Sequence, residues 1–195
     1  MKLRPQIISY VLNPLLMLLI LPYLLILKTT NNEQTALIWT LYTLIFLAAL
    51  AIYILYEVKR GVFSDLDISR RDQRPPLFHL ALFLTVVYLV GLYFFAAPRI
   101  LYVLALGMLI GICAVSIINR RIKASIHVGT IASLLVAVAM IYKGYYFLLL
   151  LLIPLVGWAR VQIKKHTIPE VLVGGVLGSL LSLIMYALVK LVIKL

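Results

Sequence analysis

Acidic residues are scarce in this chain: six Asp and Glu among 195 residues, against eighteen Lys and Arg. So few carboxylates leave no acidic cluster of the kind that holds magnesium. Cysteine occurs once, as Cys113 inside an apolar run, which excludes a disulfide framework and a paired redox motif. Charged residues of both signs make up only 12%, too few to solvate a separate soluble domain. No internal repeat and no low-complexity linker interrupts the sequence. The alternating pattern of a membrane barrel is absent too. No cleavable leader stands out, because Lys2 and Arg4 precede a run long enough to be a first span.

What remains is apolar. Hydrophobic residues make up 65% of the chain, and the mean hydropathy is +1.13. The runs approach roughly 20 residues, the length that crosses a bilayer. Helices are the way such runs satisfy their backbone in lipid. The expected fold is all-α: a polytopic bundle of six or seven transmembrane helices, forming one integral membrane domain over 1–195. The spans fall at about 6–27, 36–57, 77–97, 99–118, 126–142, 145–160 and 169–193. A 17-residue helix rises only about 25 Å, under the roughly 30 Å hydrocarbon core. The segments 126–142 and 145–160 are therefore expected to form a short hairpin among longer helices.

The one long polar stretch, 58–76, is too charged for lipid and belongs at a surface. Two spans later comes Asn119-Arg120-Arg121-Ile122-Lys123, and two more bring Arg160 to His166. Parity puts all three stretches and the N-terminus on one side. Only Lys28, Arg99, Lys143, Lys190 and Lys194 are left for the other. Basic loops face the cytoplasm, so the polar face is expected there, in the plasma membrane. The net charge of +12 lies beside apolar segments. It suits anionic headgroups, topology or an anionic substrate, and not nucleic acid.

Three polar motifs sit at the ends of apolar runs, where polar groups are costly unless they function. In the last, Arg160 precedes His166 by six positions, and Glu170 follows His166 by four. A carboxylate at that offset can hold one imidazole nitrogen and leave the other to act as nucleophile. The same residues, Thr167-Ile168-Pro169-Glu170, also read as a helix capping box. In the second motif, Ser125 and His127 open the fifth span. A serine hydroxyl and helix-start N–H groups suit phosphate, and His127 can act as general acid. Alternatively, Ser125 is only a cap. In the first, Arg74-Pro75-Pro76 leads into span three. Arg74, Arg71 and Arg70 can grip phosphate oxygens, or they are topology charges before a proline-started helix. His79 reads as structural, and Tyr145 and Tyr146 read as interfacial aromatics.

Taken together and in order, Arg74-Pro75, Ser125-x-His127 and Arg160-x5-His166-x3-Glu170 resemble the type 2 phosphatidic-acid phosphatase superfamily. That family carries Lys-x6-Arg-Pro, Pro-Ser-Gly-His and Ser-Arg-x5-His-x3-Asp. Val171 and the glycines of Val173-Gly174-Gly175-Val176-Leu177-Gly178 also look like its final helix. This chain departs at Asp67, where the family has lysine, and at Ala124, Ile126, Ala159 and Glu170. Lys123, Arg70 and Arg71 are the cations placed to replace the lysine. The resemblance implies a metal-independent hydrolase with no cofactor, acting on a lipid phosphate or diphosphate. His166 would be the nucleophile, Glu170 its orienting carboxylate and His127 the acid. Arg74, Ser125, Arg160, Lys123 and Arg71 would hold phosphate. An isoprenoid (di)phosphate is the preferred substrate, with phosphatidate next. Two competing readings stand beside it. One is a membrane prenyltransferase, for which Asp65 and Asp67 would be half of an acidic pair of loops. The other is a non-catalytic lipid-binding relative.

Overall fold

The computed structural model describes residues 4–193, so Lys2 and Lys194 of the charge distribution lie outside it. Among the described residues all regular structure is helical. The α-helices are α1 Pro5–Val11, α2 Pro14–Thr30, α3 Glu33–Lys59, α4 Arg74–Phe94, α5 Arg99–Ile118, α6 Ile126–Tyr142, α7 Leu152–Gln162 and α8 Ile168–Ile193. Among the described residues, six stretches are long and apolar enough to cross a membrane: Pro5–Thr30, Glu33–Lys59, Arg71–Phe94, Arg99–Ile118, Gly144–Gln162 and Ile168–Leu188. α6 is apolar but has only 17 residues. The chain is an integral membrane protein built as a helical bundle.

Two expected spans differ in detail. The first is broken at Leu12–Asn13 into α1 and α2. Pro14 has no N–H to continue the ladder and disfavours a helical residue before it. Asn13 instead caps α2, its Oδ1 accepting the Leu15 N–H at 2.9 Å with Pro14 at the first helical position. The span at 145–160 begins as a 3-10 helix over Gly144–Leu151 before α7. The tighter helix rises about 2.0 Å per residue, so the whole stretch reaches about 32 Å and not about 28 Å. That lengthening lets a short segment match the hydrocarbon thickness.

Contacts gather the chain into two compact units, Pro22–Arg121 and Met1–Leu21 with Ile122–Leu195. The first is centred on Ile26, Ala36, Trp39, Leu92, Leu101 and Ala105. Tyr42 stacks on Tyr88 at 5.2 Å, and the Tyr88 hydroxyl bonds Thr43 Oγ1 at 2.9 Å, which satisfies a polar group inside an apolar layer. Its polar loop folds back on itself. Asp65 Oδ1 accepts the Asp67 N–H at 2.9 Å and the Ser69 hydroxyl at 3.0 Å, while Phe63 and Ile68 are buried beneath.

The second unit is organised around α6, which buries His127, Val128, Ile131, Ala132, Leu134, Leu135, Val136, Val138 and Ala139. Its main partner is α8. Gly174 and Gly178 of α8 lie against the backbone of Ser125 and of Gly129, so close that a Cβ on either would collide with main chain. Small residues four apart are how helices approach closely in lipid. α1 and α8 pack against α7.

Candidate functional site

Site geometry begins with Ser125. Its extended backbone (φ −75°, ψ 100°) ends the preceding loop, and its Oγ accepts the Val128 N–H at 3.4 Å as the cap of α6. Its own N–H donates to the Glu170 carbonyl at 2.9 Å. Ser125 is fully buried, with Gly174 against its backbone. The start of α6 is thereby tied to the first turn of α8.

His166 is held by the end of α7. Lys164 takes a left-handed conformation (φ 57°). The Lys164 N–H donates to the Val161 carbonyl at 2.9 Å and the Lys165 N–H to the Arg160 carbonyl at 3.1 Å. This is a Schellman closure with lysine where glycine is usual. The Arg160 carbonyl also accepts the His166 N–H at 3.3 Å, so the two candidate side chains leave a single tight turn.

Glu170 joins the pieces. Its Oε2 lies 3.0 Å from His166 Nδ1 and accepts the Thr167 N–H at 3.1 Å. The second bond is half of a capping box, made by a carboxylate at the third helical position. Capping and orienting are therefore done by one oxygen. Lys123 Nζ stands 3.8 Å from the same oxygen and donates to the Lys165 carbonyl at 2.9 Å.

His127 and Arg160 are both buried, and both reach the N-terminal segment. His127 Nε2 lies 2.7 Å from the Leu12 carbonyl, and Arg160 Nη1 donates to Ser9 Oγ at 3.1 Å. Neither Ser9 nor Leu12 was a sequence candidate. Both sit at the end of a short apolar helix, and a carbonyl partner leaves no trace in residue type.

Lys123, Ser125, Arg160, His166 and Glu170 thus share one unit and a connected set of bonds, and His127 lies in the same unit, bonded to the Leu12 carbonyl. Arg74 and Arg71 belong to the other unit. There Arg74, 1% exposed, donates from Nε to the Ile68 carbonyl at 3.2 Å and from Nη1 to Asn119 Oδ1 at 3.4 Å. Arg71 Nη1 donates to the Arg121 carbonyl at 2.8 Å, and Asn119 Nδ2 to the Arg71 carbonyl at 3.2 Å. These contacts bind the polar loop to the end of α5. Asn119, buried between the two arginines, is another residue that pattern alone did not single out. His79 is exposed on α4, and Tyr145 and Tyr146 stack at 4.4 Å after α6. Among the described residues, His, Cys, Asp and Glu do not gather in any group of three able to hold a metal ion.

The chemistry open to the cluster is anion binding and proton or phosphoryl transfer. A buried guanidinium and a capped helix start favour an anion. An imidazole oriented through Nδ1 presents Nε2 as the reactive nitrogen. Compared with protein-family models, with curated proteins and with solved structures, the chain has no match.

Proposed function

We propose that the chain is a membrane-embedded phosphatase of lipid phosphates or diphosphates, working through a phosphohistidine. The observation that carries this reading is the His166 Nδ1 to Glu170 Oε2 contact at 3.0 Å, in the same unit as buried Arg160 and the Ser125-capped helix start. The motif resemblance to type 2 phosphatidic-acid phosphatases supplies the reaction class.

His166 Nε2 attacks phosphorus as the bond to the lipid oxygen breaks, and Glu170 stabilises the charge that grows on the ring. His127 gives its proton to the departing oxygen. Water then attacks phosphorus and passes a proton to His127 as the phosphorus–nitrogen bond breaks, which frees His166 and inorganic phosphate. Arg160 and the Ser125 end of α6 hold the equatorial oxygens, where the transition state carries its charge. Lys123, 3.8 Å from the Glu170 carboxylate, helps hold it in place. The substrate is an isoprenoid (di)phosphate first and a phosphatidate-type lipid second. The site faces the cytoplasm at the plasma membrane, where the basic loops would also meet anionic headgroups. The prenyltransferase alternative is weaker, because Asp65 is occupied in bonds within its own loop.

Detergent-solubilised protein should release phosphate from farnesyl diphosphate, geranylgeranyl diphosphate or phosphatidate in the presence of a chelator. His166→Ala should release none. Equal release by that variant would remove His166 as nucleophile. Release that needs magnesium would favour prenyl-transfer chemistry.

A further inference from the structure

We infer that Ser9 and the main-chain carbonyl of Leu12 are positioning groups of this same site, an inference that rests on the phosphatase reading. Ser9 and Leu12 are three residues apart at the end of α1, so they share a face. Each meets a different candidate residue: Ser9 Oγ takes Arg160 Nη1 at 3.1 Å, and the Leu12 carbonyl takes His127 Nε2 at 2.7 Å. The helix break is what presents the carbonyl. In a continuous helix the Leu12 oxygen would point along the axis to the N–H four residues on. Here Asn13 and Pro14 start a new helix, and Leu12 leaves the ladder with φ −93° and ψ 47°.

The consequence for His127 is chemical. A carbonyl only accepts, so the Nε2 beside it carries a proton. With Nε2 given to the Leu12 carbonyl, proton exchange with substrate falls to Nδ1 under this proposal. As imidazolium, His127 gives the Nδ1 proton to the departing lipid oxygen and becomes the neutral Nε2–H form. The Nδ1 lone pair next takes a proton from the attacking water, which restores the imidazolium. Leu12 thus does for His127 what Glu170 does for His166, with the nitrogens exchanged.

For Arg160 the consequence is geometric. The guanidinium is a rigid planar fork of five donors. Fixing Nη1 on Ser9 at 3.1 Å constrains the plane in which the guanidinium meets a phosphate.

The test reads phosphate affinity and ring tautomer, neither of which needs turnover. Inorganic phosphate is titrated into full-length protein in detergent and followed by phosphorus NMR. Ser9→Ala should bind about tenfold more weakly, the loss of one hydrogen bond to a charged group, and Ser9→Thr should restore affinity. The KM for lipid phosphate should follow the same order, with kcat less changed. Nitrogen-15 NMR should find His127 as the Nε2–H form when neutral, and Pro14→Ala, which lets the helix run on, should mix the two forms. Unchanged or tighter phosphate binding by Ser9→Ala would overturn the inference, as would an Nδ1–H form in the native chain. Absence of phosphate binding by the native chain would instead overturn the phosphatase reading beneath it.

Discussion

Glu170 separates two properties that one residue usually confounds. Glu170→Gln keeps an acceptor for the Thr167 N–H but loses the charge facing His166. Phosphate release should fall roughly a hundredfold, in the range of a lost acid–base contribution, while thermal unfolding barely moves. Glu170→Ala should lose activity as well and also about 1 kcal/mol of stability through the cap. A Gln variant with native kcat would assign Glu170 to capping alone. Lys164 offers a cleaner stability test. Its left-handed backbone favours glycine, so Lys164→Gly should stabilise the protein by about 0.5–1 kcal/mol in denaturant titrations. The His166–Glu170 pair was legible in the sequence because an offset of four is one helical turn. The partners of Arg160 and His127 were not, since they lie 151 and 115 positions away.

At the scale of elements, the seam between α6 and α8 carries the candidate site. Gly178→Ala would drive a Cβ into the Gly129 carbonyl, and backbone on both sides leaves nothing to yield. The expected cost is about 1–3 kcal/mol, with loss of phosphate release as Ser125 and Glu170 shift apart. Gly175→Ala is the control. A Cβ there meets Val128 Cγ1 at an ordinary 3.5 Å, so helix propensity should make the change neutral or stabilising. Equal melting temperatures for the two variants would mean that the seam does not set stability. The sequence displayed all these glycines but could not rank Gly174 and Gly178 above Gly175. Only the facing backbone does that. The break before Pro14 was not read from the sequence, where 6–27 forms one span, although Asn13-Pro14 carries its signal; the 3-10 start of the Gly144–Gln162 stretch has no comparable signature in Gly-Tyr-Tyr-Phe-Leu-Leu-Leu-Leu.

For the whole molecule, charge decides orientation. Parity in the sequence gives most of the basic residues to the side of residues 58–76, and on the proposed orientation, argued from the positive-inside tendency, that side is cytoplasmic. Leu66 is exposed on this loop, and Cys113, also exposed, is the sole native thiol. With Cys113→Ser as background, Leu66→Cys should resist a membrane-impermeant maleimide in intact cells and react once the membrane is opened. Labelling from outside would invert the topology. Helical class and most span positions were legible because they follow from run length and hydropathy alone. The division into two compact units was not, since the first 21 residues pack with the last third of the chain.

That packing sets an order of events during synthesis. Ser9 leaves the ribosome 151 residues ahead of Arg160. At about 5–20 residues per second, it waits on the order of ten seconds for its partner. Throughout that interval α1 has no α7 to pack on, and the Leu12 carbonyl has no imidazole. On the proposed reading, the nascent protein is therefore inert until its final helices are inserted, and chains that stall early never assemble the candidate site.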